Sequence, residues 1–107
     1  MNTIAKLALA ALLGMTLLST TASATVKKGQ KIYLKKLKAP CNIGGATFAQ
    51  KHTQDEWEEI HEAGQFADEV HKLCPKLKRK KFKAKYVPHV YDFVYEYASD
   101  SGNVPAC

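Results

Sequence analysis

Three cysteines and four histidines are the residues of this chain best suited to chemistry: Cys41, Cys74 and Cys107, with His52, His61, His71 and His89. Thiolates serve as nucleophiles, metal ligands and disulfide partners, and neutral imidazoles as bases and ligands. Their spacing narrows the choice. There is no Cys-x-x-Cys and no His-x-x-x-His, so the usual zinc intervals are missing. Cys41 with a histidine base would be a generic nucleophile pair, but its surroundings, KLKAPCNIGGATF over 36–48, carry no catalytic signature. Glu56, Glu58, Glu59 and Glu62 form an acidic helical face of the solvated kind, and Gly44-Gly45 stands in no Walker or dinucleotide context. No catalytic residue or metal site is assigned, and the chain is not read as an enzyme.

The cysteines take their meaning from the compartment. MNTIAKLALAALLGMTLLSTTASA places Lys6 before an apolar run from Leu7 to Leu18 and ends in Ala22-Ser23-Ala24, the pattern of a secretory signal peptide over 1–24. The domain is then 25–107, periplasmic or secreted, where disulfides persist. Three cysteines allow three single-bridge pairings, each leaving one thiol over. The terminal Cys107 is the easiest to picture free, and a leftover thiol could link two chains or serve a thiol-redox role.

Without residues 1–24, which contain Lys6 and no acid, the formal charge falls from +6 to +5. Much of the excess sits in KLKRKKFKAK, residues 76–85. Lys78, Arg79, Lys80 and Lys81 are therefore a candidate docking patch for an acidic protein partner, with an anionic membrane surface as a further target. Export argues against nucleic acid.

The elements that must position these groups read as helices throughout. Lys28 to Lys38 sets Ile32, Tyr33 and Leu37 on one side and lysines on the other, and Pro40 is expected to end that helix. CNIGGATFAQKH follows as a loop. Thr53 with Glu56 three residues later is a capping box for a helix that presents Trp57 and Ile60 inward and stops near Gly64. A further helix, Phe66 to Leu73, ends at Cys74-Pro75. The basic stretch to Tyr86 is expected to be the least structured. Pro88 suits the first turn of a last helix rich in aromatic residues, which Ser101-Gly102-Asn103 breaks. The fold class is all-α, a single domain of four or five short helices.

That order of elements, a helix, a cysteine-and-glycine loop, middle helices, a sulfur residue before proline and an aromatic last helix, resembles the class I c-type cytochromes. The segments are GQKIY at 29–33, CNIGGATF at 41–48, EWEEIHEAG at 56–64 and VYDFVYEYAS at 90–99. The resemblance implies a cytochrome c-like arrangement. With Gly29 and Tyr33 set on the family's frame, its two thioether cysteines fall on Leu37 and Pro40, and its iron-binding histidine on Cys41. The second axial ligand corresponds to Cys74, before Pro75; Met1 and Met15, the only methionines, both lie in the leader.

The resemblance thus implies a member that has lost covalent haem, with Leu37, Pro40, Cys41 and Cys74 marking a vestigial pocket and no cofactor expected. It also favours a Cys41–Cys74 bridge over Cys74–Cys107 or Cys41–Cys107, since groups in those two positions face one another across a haem. Leu37, Phe48, Trp57, Phe66, Phe82 and the rings of the last helix would fill the core. The function it suggests is a binding or accessory module beside periplasmic electron-transfer proteins. One alternative is an electron carrier holding haem noncovalently or by an atypical linkage, through His52, His61, His71, His89 or a thiolate. Another is a thiol-redox protein.

Overall fold

The first helix buries one stripe, Gly29, Ile32, Tyr33 and Leu37, and turns its lysines to solvent, as helical spacing of those residues requires. This computed structural model describes residues 24–105, so the expected leader 1–24, apart from Ala24, and Cys107 lie outside the described residues. Helix α1 spans 24–41. Its middle, Tyr33–Leu37, is a π turn in which the Lys38 N–H donates to the Tyr33 carbonyl, and Lys38–Cys41 returns to α geometry. Pro40 was expected to end the helix and instead lies within it. The widened turn restarts the α pattern at Lys38, so Pro40 falls in a first turn, where its missing N–H and fixed φ are tolerated. The helix ends instead at Asn42, whose φ is 59° and whose N–H reaches the Lys38 carbonyl at 2.8 Å.

Helix α2, Gly45–Ala49, lies in the segment read from sequence as loop, because Phe48 and Ala49 bury fully and draw that turn onto the core. Helix α3, Gln54–Glu62, begins with the expected capping box. The Glu56 N–H donates to Thr53 Oγ1 at 3.2 Å, and the Thr53 N–H donates to Glu56 Oε1 at 2.9 Å. After Ala63 the chain turns through Gly64 at φ 71°, a left-handed conformation that glycine adopts without a Cβ clash. Helix α4, Phe66–Leu73, closes at Cys74. The lysine-rich stretch is more ordered than its charge suggests. It forms 3₁₀ turns at Arg79–Lys81 and Ala84–Tyr86, fixed by the burial of Leu77 and Phe82. Helix α5, Val87–Glu96, carries Pro88 in its first turn. Among the described residues every regular element is helical.

The core is a run of aromatic rings. Tyr33 lies 5.1 Å from Phe48 and 5.9 Å from Phe93, centroid to centroid; Phe48 is 6.0 Å from Trp57; Trp57 is 5.6 Å from Phe66; Phe66 is 6.5 Å from Phe82. Such pairs add about 0.5–1.5 kcal/mol beyond the burial of their area. Their polar ends are satisfied: Trp57 Nε1–H donates to the Ala49 carbonyl at 2.9 Å and the Tyr33 hydroxyl to the Ile43 carbonyl at 2.6 Å. Ile60, expected to face inward with Trp57, is only partly buried.

Candidate functional site at the Cys41–Cys74 disulfide

Cys41 is the last residue of α1 and Cys74 closes α4, and a disulfide joins them with their Cα atoms 4.5 Å apart, across 33 residues of sequence. Of the three pairings open to the sequence, this is the one that forms. The last turn of α1 and the end of α4 set the two Cβ atoms face to face. Cys74 is fully buried, whereas Cys41 is partly exposed. The four residues marked as a vestigial pocket are thereby placed: Leu37 is buried in the core, Pro40 lies at the surface beside the bond, and Cys41 and Cys74 are bonded to each other.

Outside this bond lies an open groove of about 380 Å³, lined by Lys35, Lys36 and Pro40 from α1 and by Lys76, Leu77, Lys78 and Lys81 from the loop after α4. Leu77, only 5% exposed, and Pro40 form its apolar part, and five ammonium groups surround them. No acidic residue is among the lining residues. A second open groove, about 460 Å³, runs past the same turn of α1, between Leu34, Lys38, Ala39, Asn42, Ile43 and Gly44.

The loop wall of the lysine groove is held by α4. The Leu77 N–H donates to the Cys74 carbonyl at 2.9 Å, and His71 Nδ1–H donates to the Leu77 carbonyl at 3.2 Å. Arg79 pairs with Asp68 at 3.0 Å on the exposed surface. Phe82 packs its ring 6.2 Å from His71. Of the four cations expected to form a docking patch, Lys78 and Lys81 line the groove; Arg79 is engaged by Asp68, and Lys80 is exposed outside it. Lys35 and Lys36 were missed because they belong to another segment. The signal that could have found them was the KK pair five and six residues before Cys41, read together with a bridge to Cys74.

The histidines do not converge. His52 Nε2 lies 2.8 Å from Glu69 Oε2, with its ring edge-on to Trp57. His61 stacks on Tyr91, centroids 3.9 Å apart and planes within 8°. His71 holds the loop, and the backbone of His89 packs against Gly29. The Nδ1 atoms of His61 and His89 are buried without a hydrogen-bond partner. Burial, reinforced by the Glu58 carboxylate, pushes the Tyr91 hydroxyl up to about 12. Hydrogen bonds from the Thr53 backbone and side chain hold the Glu56 carboxyl below its ordinary value. Among the described residues no group of three or more His, Cys, Asp or Glu could hold a metal ion, and no helix is long and apolar enough to cross a membrane.

The arrangement sets like charges around a small apolar strip. Both described sulfurs are engaged with each other, and five exposed lysines line the groove with Pro40 and Leu77. No family model, curated protein or solved structure matches the chain.

Proposed function

We propose that this protein is an exported, cytochrome c-like accessory module without covalent haem, whose lysine groove docks the acidic face of a partner protein, with periplasmic electron-transfer proteins as the partner class. The observation that carries this reading is the convergence of Lys35, Lys36, Lys76, Lys78 and Lys81, from two separate segments, around Pro40 and Leu77. Charge of one sign over a shaped surface steers an oppositely charged partner and sets its orientation, while an apolar strip rewards close approach.

The cytochrome-like frame draws support from the way α1 meets α5. Gly29 packs against the backbone of His89, and Tyr33 stacks on Phe93, so the glycine and the aromatic residue of GQKIY serve the crossing of first and last helices. The residues at the attachment positions do not fit a haem. Leu37 and Pro40 have no thiol to form thioethers, and Cys41 and Cys74, bonded to each other, offer neither a thiol nor a thiolate. The rings of Tyr33, Phe48, Trp57, Phe66, Phe82 and Phe93 pack against one another and supply cohesion of their own.

Titration with poly-glutamate at fixed low salt tests the docking surface. Changing Lys35, Lys36, Lys78 and Lys81 to Gln should weaken binding by about tenfold or more, whereas Lys27, Lys28, Lys83 and Lys85 changed to Gln, an equal loss of charge elsewhere, should change it far less. Equal losses in the two variants would show a diffuse cation and remove the groove from the function.

A further inference from the structure

The lysine groove has two walls of the same charge. Lys35 and Lys36 stand on one, and Lys76, Lys78 and Lys81 on the other. Their mutual repulsion is screened by salt only beyond about 8–10 Å. The hydrogen bonds and ion pair of the loop wall run to α4, through His71 and Asp68. Among the described residues, no hydrogen bond or ion pair joins residues 35–41 to residues 75–81. The covalent tie between the walls is the Cys41–Cys74 bond, set next to Pro40 on one side and immediately before Pro75, two residues ahead of Lys76, on the other.

We infer that this disulfide is a redox latch on the docking groove: its reduction by a dithiol lets the two lysine walls separate and releases an acidic partner. The inference rests on the docking reading. Access to the bond is one-sided, since Cys41 is partly exposed and Cys74 fully buried. A thiolate of the dithiol attacks the Cys41 sulfur, forming a mixed disulfide, and Cys74 leaves as a thiolate that takes up a proton. The second thiol of the reductant then displaces Cys41, which is protonated in turn. Two electrons and two protons pass to the protein, and the dithiol ends as a cyclic disulfide. With the tie broken, repulsion across the groove is no longer opposed by a bond.

The test uses the Cys107→Ser chain, so that Cys41 and Cys74 are its only thiol couple. Oxidised protein and protein reduced with dithiothreitol are compared by three readouts. These are affinity for poly-glutamate, the yield of a short amine-to-amine cross-link between Lys35 or Lys36 and Lys78 or Lys81, and the emission of buried Trp57. Reduction should weaken binding by about tenfold and lower the cross-link yield while Trp57 emission stays native, and added salt should restore the cross-link. Equal binding and equal cross-linking in the two states would overturn the latch and leave the docking reading standing. Failure of the oxidised protein to bind would overturn the docking reading, and the cross-link would then judge the latch alone. Loss of native Trp57 emission on reduction would overturn the latch too, because the bond would be holding the whole fold.

Discussion

Gly29 rests on the carbonyl of His89, so close that a methyl group on Gly29 would overlap that carbonyl and press on Phe93 Cβ. The first and last helices therefore meet backbone to backbone at this point. In an ordinary helix interior alanine is more stable than glycine by roughly 0.5–1 kcal/mol. Here the sign reverses. Gly29→Ala should destabilise the protein by roughly 1–3 kcal/mol, the cost of overpacking, read as a lower urea midpoint. A raised midpoint would mean that the two helices do not cross at Gly29.

The start of α3 is an independent unit. Thr53→Ala removes the side-chain acceptor of the capping box and should lower stability by about 1 kcal/mol at neutral pH. Glu56, the reciprocal partner, has its carboxyl held below the ordinary value by those same Thr53 hydrogen bonds. A depressed folded value means stability that is present above the unfolded pKa, about 4.3, and lost as pH falls through the lower folded one. Glu56→Gln, which keeps an acceptor but does not titrate, should therefore flatten the acid side of the stability profile. Urea midpoints followed from neutral pH downward check both effects.

At the alkaline end the group to watch is Tyr91, pushed up to about 12 by burial and the nearby Glu58 carboxylate. The folded chain keeps this proton longer than the unfolded one. Its stability contribution is thus complete below about 10 and lost as pH rises through the folded value. Tyr91→Phe should remove that part of the alkaline loss. In a spectrophotometric phenol titration of the native protein, the same substitution should remove one late-ionising tyrosine.

Reduction of Cys41–Cys74, besides its effect on the groove, opens a loop of 33 residues. The chain-entropy treatment puts the stability lost at about 3–4 kcal/mol. The reduced protein should unfold at a correspondingly lower urea concentration while retaining its helical circular dichroism without denaturant. An unchanged midpoint would mean that the bond constrains nothing that unfolding releases.

Much of the helical plan was legible in the residues. Thr53 and Glu56 marked the start of α3, Gly64 its end, and Pro88 the first turn of α5, because caps and fixed φ values are local chemistry. The Cys41–Cys74 pairing followed from the resemblance rather than from spacing. What stayed hidden depends on contacts distant in sequence. A proline within α1 becomes tolerable only through the π turn ahead of it, and α2 forms because Phe48 and Ala49 reach a core made by other segments. Repulsion among the lysines of 76–85 suggested the least structured part of the chain, yet Leu77 and Phe82 anchor that stretch from within. For the groove, Lys78 and Lys81 could be read from the charge run. Lys35 and Lys36 could not, since only the disulfide and the fold carry them across to the other wall.

Whether the proposed module lacks a covalent haem is decided most directly by the visible spectrum of the protein purified after co-expression with a c-type cytochrome maturation system. With Leu37 and Pro40 where the proposed cytochrome-like frame would put thioether cysteines, and with Cys41 bonded to Cys74, the spectrum should show aromatic absorption and no Soret band. A Soret band that survives acid–acetone extraction would contradict it.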